Sequence, residues 1–196
     1  MSNAKKTKNV KAAKPAKATK ATKAAKPVKT LKAAPSRRLP APGATRLTLP
    51  SDRELRVERV FAAPRAEVWS AMTEPEQLAQ WWGRGNRLVI ERYELHRGGH
   101  WRFVEHSPHG VHGFEGRFRE VKAPELLSMT FEWDGQPGHV LVNTLVLTAV
   151  DAERTLLVAT SLYMTREDRD GMMHSGMEEG MNASYAALDR VLAARR

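Results

Sequence analysis

Five histidines crowd residues 96–112: His96, His100, His106, His109 and His112. Imidazoles at that density suggest two chemistries, metal ligation and proton transfer. A metal site needs converging ligands with a supporting shell of hydrogen bonds. No H-E-x-x-H or comparable helical spacing joins these histidines. His96, His106 and His109 fall near expected hairpin ends, so they read as solvated loop residues. His112 differs, because it shares a strand face with Phe114 and Phe118 and is a candidate polar anchor facing inward. Acid–base candidates on strands are Tyr93, Arg102, Glu105, Glu115, Arg117 and Glu132, and alternation turns several of them outward. No nucleophile elbow, phosphate loop or dinucleotide-binding glycine pattern occurs. The chain has no cysteine, which excludes thiolate chemistry, zinc–thiolate sites and a disulfide frame. Neither metal nor cofactor is expected, and no reaction is specified, so a binding role is expected ahead of an enzymatic one.

A second concentration of residues is apolar. Trp101 and Phe103 share one strand face, Phe131 and Trp133 another. Met173, Met177, Met181 and Tyr185 recur on a C-terminal helical stretch. Methionine fills irregular spaces and adapts to guests of different shape. Together with Trp81 and Trp82 these residues fit either an internal cavity for a small apolar or amphipathic molecule or a filled core, and the family resemblance given below favours the cavity. The expected ligand contacts are therefore Trp81, Trp82, Trp101, Phe103, His112, Phe114, Phe118, Phe131, Trp133, Met173, Met177, Met181 and Tyr185. Asn143 and Ser161, inside apolar strands, are further candidate polar anchors. Gly176 and Gly180, four apart, suggest close packing of the helix on its neighbour or a shaped pocket.

Positioning such residues requires a sheet and something to cover it. Leu55–Phe61 reads as a strand. Pro64 then suits a helix start, and Pro75 begins a second short helix that ends in the Trp81-Trp82 pair. Six further strand-like runs follow at Arg87–Leu95, Trp101–His106, His112–Val121, Leu126–Trp133, Val140–Ala149 and Thr155–Met164. Gly-, Pro- and Asp-rich breaks separate them, as in consecutive antiparallel hairpins. Residues 167–194 are predicted as one helix, with Met173, Met177, Met181, Tyr185, Leu188 and Leu192 on one face. The expected architecture is α+β. A curved antiparallel sheet of about seven strands grips a long C-terminal helix, with the short helix pair closing one end.

That order of elements resembles the helix-grip fold of the START-like, polyketide-cyclase-like (SRPBCC) superfamily. The motifs resemble its branch named for the activator of Hsp-90 ATPase homologue. They are Phe61, Ala63-Pro64, Val68-Trp69, Ala71, Thr73, Pro75, Leu78 and Trp81-Trp82; Gly98-Gly99, Trp101 and Phe103; Gly113 and Phe114 in a strand ending Arg119-Glu120-Val121; Pro124-Glu125 and Leu127; and Gly176-Met177, Gly180-Met181, Tyr185 and Leu188-Asp189. The resemblance spans nearly all of residues 52–194. It implies a fold more than a function, because the superfamily includes binders, carriers, cyclases and co-chaperones. Three functions follow from it as expectations: a non-enzymatic ligand-binding domain, a chaperone-linked interaction module, and a cyclase or hydrolase in the same cavity that would need His112 or Arg117.

The first 46 residues are of another kind. They hold eleven lysines, three arginines and no acidic residue, a charge of +14, and the remaining 18 basic and 22 acidic residues give the rest a net of −4. Ala, Lys, Pro and Thr offer too little apolar surface to offset the entropy of ordering, so residues 1–46 are expected to be disordered and 47–196 to be the folded domain. Lys5, Lys8, Lys11, Lys14, Lys17, Lys20, Lys23, Lys26, Lys29 and Lys32 fall at every third position. That period matches one edge of polyproline II rather than a helix face. The composition resembles the tails of linker-histone-like and nucleoid-associated proteins. These ten lysines are the expected contacts for nucleic acid or another polyanion, bound without sequence preference; plain solubilisation is the alternative. No secretory h-region and no membrane-length apolar run occur. A cytoplasmic location is expected, with the nucleoid as a site of association if the tail holds DNA. Oligomeric state is left open.

Overall fold

A computed structural model describes residues 38–195, which lie in the compact unit Arg38–Arg196. The ten lysines expected to meet polyanions lie outside the described residues. Two strands open the fold, β1 (Thr45–Ser51) and β2 (Glu54–Phe61). Helices α1 (Arg65–Thr73) and α2 (Pro75–Trp81) follow, with a 3-10 turn at Trp82–Gly85. Then come β3 (Arg87–Tyr93), β4 (His100–Ser107), β5 (Gly110–Lys122), β6 (Leu126–Trp133), β7 (Leu141–Ala149) and β8 (Thr155–Leu162). Helices α3 (Arg166–His174) and α4 (Met177–Ala193) close the chain.

All eight strands form one antiparallel sheet in the order β1-β2-β8-β7-β6-β5-β4-β3. From β3 to β8 each strand pairs with its sequence neighbour. The sheet is completed by β2 pairing with β8, from Glu54↔Leu162 to Phe61↔Thr155. Strand β1 is the addition to the expected seven. Its second half is exposed, and it carries Pro50, which an edge strand tolerates because one side needs no ladder hydrogen bond.

Alternation sets the inward face. In β4, Trp101, Phe103 and Glu105 are buried while their neighbours are only half-buried. In β2, Leu55 and Val57 turn in, and Phe61 is wholly buried. Leu188 of α4, Val68 of α1 and Leu157 of β8 are also sealed from solvent. Each such aliphatic side chain contributes about 1.5–3 kcal/mol by burial. The short helices are punctuated as their prolines suggest. Pro64 is the N-cap of α1, and Pro75 opens α2 directly after Glu74, the C-cap of α1.

The single C-terminal helix expected over 167–194 is in fact two. Thr165 and Asp168 form a reciprocal capping box that starts α3. Gly176 adopts φ 79° and caps α4. That left-handed residue breaks the i→i−4 ladder and resets the helical phase. A Cβ at Gly176 would meet nothing within 4 Å, so its need is conformational freedom rather than the close packing expected of it.

Candidate ligand-binding cavity

The concave face of the sheet, α2 and the two C-terminal helices line a half-open cavity of about 660 Å³. Its walls include Trp81 and Trp82, Trp101 and Phe103 of β4, His112, Phe114 and Phe118 of β5, and Phe131 and Trp133 of β6. Met177, Met181 and Tyr185 of α4 complete it. Of the expected ligand contacts only Met173 is not in the wall; Met172 is. The break at Gly176 explains the exchange: residues 173 and 177 sit on different helices, so a spacing of four does not place them on one face.

Aromatic rings pack edge to face around the void. Trp82 stands nearly perpendicular to Phe114 and Phe103, with centroids 4.9 and 5.4 Å away. Phe114 contacts Phe131 at 5.5 Å, and Tyr93 stacks on Phe103 at 6.0 Å. The tryptophan pair divides its work. Trp81 donates its indole N–H to the Ala71 carbonyl at 2.7 Å and so ties α2 to α1. Trp82 instead leans over the aromatic floor.

Polar groups interrupt this wall at two places. At one, Glu105 is only 3% exposed. Its Oε1 accepts from Arg84 Nη2 at 3.0 Å and from Asn86 Nδ2 at 2.6 Å. Arg84 is held in an unusual backbone state, φ 65° between Gly83 at 72° and Gly85 at 82°. For a non-glycine residue that costs roughly 1–2 kcal/mol. The surroundings fix it there: the Arg84 N–H donates to Ser184 Oγ at 3.0 Å, and the arginine stem lies over Gly180. At the second place Ser161 and Asn143, cross-strand partners, are joined by a 2.7 Å bond from Ser161 Oγ to Asn143 Oδ1. Tyr163 lies beside Ser161, and burial pushes its phenol up to about 12. Burial also raises Tyr93 and holds Tyr185 at about 12, opposed by the Arg59 guanidinium. Arg59 is itself fastened to Asp189 at 2.5 Å and Thr45 at 2.8 Å.

The other sequence candidates scatter. His96 is exposed in a turn, and His100 lies on β4, 3.4 Å from Glu115. His106 is half-buried near the end of β4, while His109 borders the cavity from the β4–β5 turn. His112 lines it, its ring 6.1 Å from Trp133. Arg117 is exposed and donates to the Gly98 carbonyl. Among the described residues no group of three or more His, Cys, Asp or Glu gathers to hold a metal. Arg102 is committed to Asp134 at 2.7 Å beside a smaller recess of about 300 Å³. That bond raises the arginine and lowers the aspartate. Sequence reasoning missed Arg84, Tyr163 and Met172. Glu105 carried a readable signal, since it follows Trp101 and Phe103 at intervals of two. Arg84 carried none beyond its place between glycines.

The family model described as activator of Hsp90 ATPase homolog 1-like protein matches residues 62–193. Among solved structures, the crystal structure of a Rhodobacter sphaeroides protein is 32% identical, with a TM-score of 0.71, covering 77% of this chain and 99% of that one. The solution NMR structure of an Arthrobacter aurescens protein is 25% identical, with a TM-score of 0.67, covering 73% of this chain and 87% of that one. Protein Ms6760 from Mycobacterium smegmatis, at 22% identity and a TM-score of 0.68, shares the fold over 77% of this chain and 98% of its own. No curated protein matches the sequence.

Proposed function

The chain belongs to the family of activator of Hsp90 ATPase homolog 1-like proteins, and on that premise we propose that it is a non-enzymatic helix-grip domain that binds a small apolar or amphipathic molecule in its internal cavity. One observation carries this reading: a void of about 660 Å³ walled by tryptophan, phenylalanine and methionine, with a few buried polar groups. A void of that size and lining is what ligand sites have, whereas a packed interior leaves few spaces larger than a water. Titration of the full chain with the neutral dye N-phenyl-1-naphthylamine tests it. Saturable fluorescence gain is expected, lost in Ala159→Trp, whose new indole would occupy the void. A wild-type chain that takes up no dye overturns the reading.

The family description also supports a chaperone-linked reading, which predicts that the chain stimulates Hsp90 ATPase; absence of stimulation removes it. For the stretch before β1, residues 1–44, we propose sequence-independent association with nucleic acid or another polyanion, supported by thirteen basic residues and no acidic one. Counterion release then makes affinity fall steeply with salt. Duplex DNA held equally well at roughly 50 and 300 mM salt would refute it.

A further inference from the structure

We propose that the cavity prefers an uncharged, hydroxyl-bearing amphiphile over the matching carboxylate, the ligand's hydroxyl being received between Glu105 and Arg84. This rests on the cavity-binding reading and specifies its ligand. Among the described residues that line the void, the side chains of fixed charge are Glu105 and Arg84. They neutralise each other across 3.0 Å. Both protein donors converge on one carboxylate oxygen, Oε1. The other, Oε2, has no partner among the described residues, yet it is not sealed off as the unpartnered Trp101 Nε1 and Gln77 Oε1 are. A carboxylate buried to 97% therefore keeps one oxygen without a protein partner among the described residues, on a residue that lines the cavity.

That arrangement has a complement. A hydroxyl is at once a donor and an acceptor. Its O–H can donate to Glu105 Oε2 while its oxygen accepts from a remaining N–H of Arg84. No charge is added, and the buried acceptor gains its missing partner. A ligand carboxylate has no hydrogen to give. It would add a second anion beside Glu105, and Arg84 already serves the first. An uncompensated charge in an apolar void is costly. The apolar remainder of the ligand lies against Phe103, Phe114 and the α4 methionines in either case, so the head group decides.

Displacement of N-phenyl-1-naphthylamine from the full chain by 1-dodecanol and by dodecanoate, at pH about 8 and so above the ordinary histidine range, tests this. The alcohol is expected to displace the dye at a concentration about tenfold or more below the acid. In Glu105→Gln the ratio should collapse or invert, because Arg84 is freed to pair with the carboxylate. Dodecanoate binding as well as the alcohol in the wild type overturns the inference, a result that needs no variant. So does a dye-competent Glu105→Gln with an unchanged ratio, which would reduce the preference to simple partition. Absence of dye uptake by the wild type overturns the cavity reading and the inference together; uptake with equal displacement overturns the inference alone.

Discussion

Gly116 shows how closely the floor of the cavity is built. It lies on β5 opposite Trp101. A Cβ there would run into the Thr130 carbonyl and sit 2.8 Å from the Trp101 indole nitrogen. Neither obstacle is a flexible side-chain end. Gly116→Ala is expected to destabilise by about 1–3 kcal/mol, the range for overpacking, read as a lower urea midpoint with an unchanged slope. A variant as stable as the wild type would show that the sheet yields here. The same neighbourhood marks what single positions reveal in advance. Trp101, Phe103 and Glu105 follow a period of two, so their common inward face is legible from order alone. The Glu105–Arg84 contact is not, because it depends on three successive left-handed residues that dock a turn onto α4. Gly83-Arg84-Gly85 reads only as a bend until its partners are known.

The helix break at Gly176 makes a second test. With open space around it, Gly176→Ala incurs only the backbone cost of a left-handed residue, roughly 1–2 kcal/mol. Asparagine tolerates that state better, so Gly176→Asn is expected to recover part of the loss. Equal unfolding midpoints for glycine, alanine and asparagine would mean that the α3–α4 junction rearranges freely. The two errors in reading secondary structure share a cause: tertiary demand overrides a local pattern. Methionines at intervals of four continue smoothly through Gly176, so periodicity alone joins α3 to α4. Residues 45–51 offer only the short alternation Leu47-Thr48-Leu49, cut off by Pro50, and the strand character of β1 comes from pairing with β2. The long β2–β8 runs, both buried on one face, were legible because burial and β-propensity agree there.

The chain has three tyrosines, and burial raises all three phenols, Tyr163 and Tyr185 to about 12. The unfolded chain loses those protons near pH 10. A group whose folded pKa is raised favours the fold below the unfolded value and ceases to do so as pH climbs through the folded one. Stability is therefore expected to decline between about pH 10 and 12. Tyrosinate ultraviolet absorbance should rise together with loss of circular dichroism. Phenolate appearing at pH about 10 in a still-folded chain would contradict the burial of these rings. The pairing of β2 with β8 also has a consequence in time. Phe61 and its partner Thr155 are ninety-four residues apart in sequence. A ribosome adding about 5–20 residues per second needs roughly 5–20 s to cross that gap. For that interval the outer edge of β2 in the newly made β1–β2 hairpin is unpaired, and its apolar face lacks the two C-terminal helices. The last third of the polypeptide must emerge before either is protected.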